Sequence, residues 1–370
     1  MREIKLPFVL KTTLVLVSIL ILGFLIKIGQ TILAPLFFAF IVALLFTPFA
    51  TFLEKKLRFN RPISTAFCFI VLTSILVGIV YFFSTQLSDF VNDFPMLQKQ
   101  VVDSSYELQL WISKTFGLNF HKQMDYLNQG LEKLLSSTGV ILGVTVATLS
   151  SIGGFFAFSV LFFIFILNYR RILYLFALKI FRPEYQNKVE EITIEIQRVI
   201  KQYIFGIIIQ IIIVSICTSI LLTILGVKYA LLLGVLTGIL NVIPYIGIIT
   251  GCVFACLISF ATAGGSGILW IALGYTGIHI VDANVVLPLV VGSKVKINAL
   301  FTFIGLLIGE MLWGITGMFL SIPFLAILKI IFERIDGLNP WAILLGENIK
   351  ADKTRKKYRL SKKIVLEEKE

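Results

Sequence analysis

YIFGIIIQIIIVSICTSILLTIL, residues 203–225, runs for 23 residues without a charged side chain. About 20 mostly apolar residues cross the hydrocarbon core of a bilayer as one helix, so this stretch reads as a transmembrane segment. Seven further apolar runs flank it, at 12–28, 31–53, 63–85, 139–167, 229–260, 268–291 and 299–331. The expected fold is therefore an all-α polytopic integral membrane protein with about eight hydrophobic segments. Composition agrees: the 370 residues are 58% hydrophobic and 15% charged at a net charge of +12, whereas a soluble domain carries about 25% charged residues. These figures exclude a water-soluble enzyme, a disordered chain, a disulfide-stapled secreted domain and a nucleic-acid-binding domain. Cys68, Cys217, Cys252 and Cys256 lie inside apolar runs without CxxC spacing. They read as small buried apolar residues.

Arg2, Lys5 and Lys11 precede the first run, but no small-residue cleavage site follows and the next run begins at once. It is expected to be a retained helix and not a signal peptide. Orientation follows from Lys and Arg in the short loops. The N-terminus holds three, the 54–62 loop four, the 169–202 segment seven and the tail from Lys329 onward eleven, which places all four on the cytoplasmic side. The region 86–138 has four basic and six acidic residues and is expected to face outward. The organisation expected is segments 1–3 in 1–85, an extracytoplasmic helical region in 86–138, and segment 4 in 139–168. A cytoplasmic amphipathic region in 169–202, segments 5–8 in 203–335 and a basic cytoplasmic tail in 336–370 complete it. Both termini are expected to be cytoplasmic.

The runs 229–260 and 299–331 are long for single spans, and they contain Pro244 and Pro323. Two tilted spans give eight crossings and are the expectation, because irregular backbone in lipid needs shielding. The alternative breaks both into re-entrant hairpins, leaving six crossings and placing Lys294 and Lys296 inside. Outside the hydrocarbon, Phe94, Leu97, Val101, Ser104, Leu108 and Trp111 form one helical seam, with Phe120–Leu135 or another subunit as its partner. Val189, Ile192, Ile196, Val199, Ile200 and Tyr203 form the apolar face of a helix whose other face is charged, either a connector or a lever arm.

Carboxylates in hydrocarbon are costly and mark function. Nineteen of the 21 Asp and Glu residues lie outside the apolar runs, leaving Asp282 and Glu310 as candidate ion-coupling residues. His279 lies one turn before Asp282, and a His beside an acid shares a proton or fixes a tautomer. Asn284 and Pro288 follow; the plainer reading has Asp282 capping a break before Pro288. Glu310 stands among Gly309, Met311, Trp313 and Gly314. Asn241, Pro244, Tyr245 and Gly247 would expose backbone carbonyls at mid-depth, as broken helices do at transporter sites, unless the proline is a simple kink. Pro288 and Pro323 are further break candidates. Gly234 and Gly238, Gly247 and Gly251, and Gly305 and Gly309 each have GxxxG spacing, which indicates close helix packing. No phosphate loop, HExxH, GxSxG or paired metal ligands occur, so no cofactor, metal or enzymatic activity is expected.

Three motifs carry a resemblance: Asn241-Val-Ile-Pro-Tyr-Ile-Gly, Asp282-Ala-Asn-Val-Val-Leu-Pro-Leu-Val-Val-Gly-Ser-Lys, and Leu312-Trp-Gly-Ile-Thr-Gly-Met-Phe-Leu-Ser-Ile-Pro. In order and spacing the chain resembles the AI-2E (autoinducer-2 exporter) family of bacterial transporters. Two positions depart from it: family members more often carry Glu at Asp282 and a small residue at Glu310. The resemblance implies a homo-oligomeric inner-membrane carrier that exports a small polar metabolite or signal such as autoinducer-2, coupled to H⁺ or Na⁺. One alternative is a Na⁺/H⁺ antiporter acting on ions alone. Another is a non-transporting scaffold that recruits partners through the outward seam. The lipid bilayer, a small polar solute, H⁺ and Na⁺ are thus the expected partners, and nucleic acid is not.

Overall fold

A chain in hydrocarbon must satisfy its backbone N–H and C=O groups internally, which the apolar runs do as α-helices. The computed structural model describes residues 7–116, 138–243, 246–263, 267–289 and 297–346. Its helices are α1 (Phe8–Ile28), α2 (Gln30–Lys56), α3 (Arg61–Phe116), α4 (Thr138–Lys179) and α5 (Pro183–Ile224). They continue with α6 (Ala230–Leu240), α7 (Ile246–Ala263), α8 (Ile268–Val281), α9 (Ala299–Arg334) and α10 (Asn339–Leu345). Among the described residues, seven helices are long and apolar enough to cross a membrane: α1, α2, α3 over Arg61–Ser88, α4 over Gly153–Lys179, α5, α8 with its continuation to Val286, and α9. The seam residues Phe94–Trp111 lie on α3, but their side chains fall outside the described set, as do Phe120–Leu135, Pro244, Tyr245, Lys294, Lys296 and the 347–370 tail.

The chain divides into two compact units, one of Met1–Phe176 with Lys201–Val291 and one of Ala177–Ile200 with Gly292–Glu370. In the first, Ala39, Ala43 and Ala50 give α2 a small-residue face against Cys68 of α3 and Phe163 and Leu167 of α4. Small side chains let helix backbones approach, which is how helices associate where lipid removes the hydrophobic drive. One nitrogen of the Arg170 guanidinium lies 2.6 Å from each carboxylate oxygen of Glu54 and fastens α4 to α2. A second core joins α5, α6, α7 and α8 through Leu222, Leu233, Ala255, Ile258, Ile271 and Tyr275.

The run 229–260 is not one tilted span. At about 1.5 Å per residue, the 11 residues of α6 reach only about 16 Å, half of a bilayer core of about 30 Å. The helix ends because Ile243 precedes a proline, which disfavours helical backbone at that position. Val242 and Ile243 instead donate to the carbonyls of Ile239 and Leu240 in a tightened last turn. The chain then returns as α7, antiparallel to α6. A Cβ on Gly247 would strike the backbone of Asn241, and one on Gly251 would strike Thr237. Gly234 and Gly238 are seated in the same way against Ser219 and Ser215 of α5.

In the second unit, 299–331 also departs from a single span, and the turn is not at Pro323. Trp313 (φ −136°, ψ 19°) and Gly314 (φ 60°, ψ −140°) leave the helical region, while Pro323 stays buried inside the helix that follows. A Cβ on Gly309 would strike the backbone of Gly317, and one on Gly305 would strike Leu325. Residues eight and twenty apart would lie about 12 and 30 Å apart along a straight helix, so α9 is a helical hairpin of limbs 299–312 and 315–334. Gly314 turns it because its positive φ is strained for any side chain. Asn298 caps the first limb, its side chain accepting from Leu300 N–H at 3.0 Å. Its own N–H donates to Leu345 at the end of α10. The amphipathic stretch 183–200 is the start of α5 itself, without a break before the apolar run. Glu191 pairs with Arg334 at 2.6 Å and Lys188 with Asp336 at 3.0 Å.

Candidate functional site

Asp282 lies in the first unit, 6% exposed, where α8 passes into a π-helical turn at Asp282–Val286. Pro288 explains the widened turn: it has no N–H to give the Asn284 carbonyl and its ring crowds that group. Leu287 N–H accordingly reaches back five residues to the Asp282 carbonyl. Such π-turns occur often at functional sites. The carboxylate accepts two hydrogen bonds from Nε2 of Gln210, at 3.0 and 3.1 Å, and one from Nδ2 of Asn241 at 2.9 Å.

Each partner is placed by its own element. Gln210 (5% exposed) projects from α5, and Asn241 (3% exposed) is the last residue of the α6 turn. Gly247 lets α7 close against that turn, which fixes the Asn241 backbone. Further along α6, Thr218 of α5 donates to the Gly234 carbonyl at 3.2 Å, and the hydroxyls of Thr237 and Tyr275 lie 3.2 Å apart. Counting about 1.5 Å per residue from the starts of α6 and α8, Asn241 sits about 16 Å along α6 and Asp282 about 21 Å along α8. The acid therefore stands at the tip of the α6–α7 hairpin, far from the starts of α6 and α8. Both amide donors are neutral, so they orient the carboxylate without cancelling its charge.

A second clasp holds the opposite end of α6. Tyr229, at φ 61°, precedes the helix, and its hydroxyl donates to Asp93 of α3 at 2.5 Å, beside Lys228 at 2.6 Å. Phe90 packs edge-on against the Tyr229 ring at 5.4 Å. The hydrogen bond from Lys228 holds the Asp93 carboxyl below the usual carboxylate range, and Asp93 in turn raises the lysine.

Of the residues singled out in the sequence, Asp282 and Asn241 are brought together, and Gly247 supports them. His279 is half-buried on α8 and its carbonyl accepts the Asp282 N–H. Asn284 does not join the site: it is exposed and donates to the Ile280 carbonyl at 2.8 Å. Pro288 is exposed and acts through the backbone. Glu310 and Pro323 belong to the second unit, where Glu310 is exposed three residues before the α9 turn. Gln210 was missed. Its signal was present in the sequence as a lone amide between Ile207-Ile-Ile and Ile211-Ile-Ile, which the same argument about polar groups in lipid would have flagged had it extended beyond acids.

A model of the AI-2E family transporter matches residues 14–337. A Haemophilus influenzae protein named "Putative transport protein" is 32% identical over 106 residues, 28% of this chain and 30% of that protein. YrrI of Bacillus subtilis, similarly named, is 34% identical over 89 residues, 24% of this chain and 25% of that protein. YhhT of Escherichia coli K12, named in the same way, is 36% identical over 69 residues, 19% of this chain and 20% of that protein. The chain thus matches less than a third of the length of these relatives. With the family match covering every apolar helix from α2 to α9 and most of α1, this multi-pass membrane protein belongs to the AI-2E transporter family.

Proposed function

We propose that this chain is a secondary transporter in which Asp282 is the coupling group, taking up a proton or a cation in one stage of the cycle and releasing it in another. The observation that carries the reading is a buried carboxylate, held by two neutral amides, at the tip of a hairpin that reaches only partway through the membrane. A charge in hydrocarbon is expensive and is kept where it serves transport. Short hairpins at mid-depth are also the elements that transporters move or open. The transported species is a small polar metabolite or signal such as autoinducer-2, moved outward across a bacterial cytoplasmic membrane with both termini inside. The family resemblance and the basic loops support that assignment.

One observation favours a narrower version, in which the cargo is Na⁺ or H⁺ alone. Asp282, Gln210 and Asn241 together carry four side-chain oxygens, and turning the two amides over would present carbonyl oxygens to a hard cation, which takes oxygen ligands. The test is cation-driven pH change in sealed vesicles containing the purified chain, comparing the parent with Asp282→Asn under imposed Na⁺ and K⁺ gradients. A proton flux lost in Asp282→Asn, with membrane protein levels unchanged, is expected. Equal flux and equal pH dependence in both would remove Asp282 from the mechanism. An ion flux that no polar solute alters would select the ion-only version.

A further inference from the structure

The short helix α10 crosses the open end of the α9 hairpin. It begins five residues after Arg334, the end of the second limb, and its last residue, Leu345, accepts the N–H of Asn298 at the start of the first limb at 2.8 Å. Ile297 and Gly346 add an antiparallel bridge. Seven residues reach about 10 Å, which matches the separation of about 8–10 Å between two packed helices. Where α10 meets the second limb, the apolar run gives way to Lys329, Glu333 and Arg334. The helix is therefore placed where α9 leaves the hydrocarbon. Ala342 (4% exposed) and Leu345 (7%) pack inward, whereas Trp341 (57%), Ile343 (57%) and Leu344 (48%) are exposed. A helix that is apolar all round is covered all round, and this one has an apolar face to cover.

The sequence that follows says what covers it. Residues 350–363 carry eight Lys and Arg against one Asp, and basic clusters next to a membrane helix recognise anionic lipid headgroups. We propose that α10 and the basic stretch 350–363 form a binding surface for anionic phospholipid, with Trp341, Ile343 and Leu344 entering the acyl boundary and the lysines and arginines taking the phosphates. A lipid layer supplies an apolar boundary and negative charge together, at the depth where Trp is enriched and where interfacial helices lie. A second copy of this chain would instead bring two such basic stretches against each other, in a protein of net charge +12. Asp282 plays no part in this surface, so the proposal is independent of the coupling reading.

The experiment uses the full chain in liposomes with Trp111, Trp270 and Trp313 replaced by Phe, leaving Trp341 as the one fluorophore. Its quenching is compared between brominated phosphatidylglycerol and brominated phosphatidylcholine at equal mole fraction. Quenching by both lipids is expected, with a relative affinity for phosphatidylglycerol at least ~5-fold higher, the enrichment that one basic residue near an anionic surface supplies. That preference should collapse in 1 M salt, where the screening length is about 3 Å. It should also collapse on joint substitution of Lys353→Gln, Arg355→Gln, Lys356→Gln and Lys357→Gln, with quenching by phosphatidylcholine retained. A chain keeping only Trp270, which is exposed on α8, should be quenched by both lipids alike. No quenching of Trp341 by either lipid would show that protein covers the face, and would overturn the proposal. Equal quenching by both lipids, or a preference that survives salt or the four substitutions, or one that Trp270 shares, would also overturn it. A nitroxide on Ile343→Cys, with the four native cysteines replaced by Ala, gives a second reading that keeps every tryptophan. Collisions with oxygen should exceed those with a water-soluble nickel chelate, and the reverse would put the face in water and sink the assignment.

Discussion

Asp282 accepts its described side-chain hydrogen bonds from Gln210 and Asn241, and replacing either amide by an apolar side chain of similar size leaves a buried carboxylate short of a donor. Hydrogen bonds to charged groups contribute about 1.5–3 kcal/mol, so Gln210→Leu and Asn241→Leu should each lower unfolding free energy by about that amount in a detergent-solubilised denaturant titration. Combined with Asp282→Asn, the loss from Gln210→Leu should shrink by at least ~0.5 kcal/mol, because residues in one network are not additive. Strict additivity would show that the two do not share a bond. Asn284 supplies the contrast. Exposed and bonded only locally to Ile280 in the described set, it should tolerate Asn284→Ala within about 0.5 kcal/mol and without change in vesicle flux.

Elements show why prolines alone do not locate the breaks. Pro244 follows a helix that has already run out, whereas Pro323 sits in the middle of the second limb of α9 and is tolerated there. The turn at Trp313–Gly314 brings Gly305 beside Leu325, so the double substitution Gly305→Cys with Leu325→Cys should form an intrachain disulfide under mild oxidant. A continuous helix would hold the two about 30 Å apart, and absence of the crosslink would restore a single span. At the other hairpin, Asp93 and Lys228 join α3 to the base of α6, outside the membrane-spanning stretches. Asp93 titrates below its ordinary value, so the contribution of the pair is complete above about pH 3.9 and is lost as pH falls through the lowered value. Lys228 is raised, so its contribution is complete below about pH 10.4 and is lost as pH rises through the raised value. Spin labels on α3 and on the α5–α6 loop should keep a constant separation from about pH 5 to 9 and move apart only in strong acid. A transition near neutrality would contradict the assignment. Because the pair is partly exposed, 1 M salt should also loosen it, since the screening length falls to about 3 Å.

At the scale of the whole chain, counting each hairpin as returning to the side it left predicts six full crossings, by α1 to α5 and α8. With six crossings, the preference for basic residues inside predicts that Lys294 and Lys296 share a side with the basic 54–62 loop. Cysteines introduced as Arg58→Cys and Ser293→Cys should therefore react with a membrane-impermeant thiol reagent from the same face of right-side-out vesicles, in a background lacking the four native cysteines. Reaction from opposite faces would return the chain to eight crossings.

The sequence by itself determined that this chain is a polytopic helical membrane protein, because runs of 17 to 33 apolar residues have few other soluble or membrane solutions. It also singled out Asp282, since a carboxylate inside such a run stands against a large desolvation cost wherever the helix is placed. Family membership was legible too, in the motifs around Asn241, Asp282 and Trp313. The structure alone decided what satisfies Asp282, because Gln210, Asn241 and the acid are separated by 31 and 41 residues along the chain and meet only when α5, α6 and α8 pack. It also decided where α9 turns. Hydropathy reads the total apolar length of a run but not its direction, and a hairpin and a tilted span bury the same residues in the same lipid. The difference lies in which glycines face one another across the turn, and that is a property of packing.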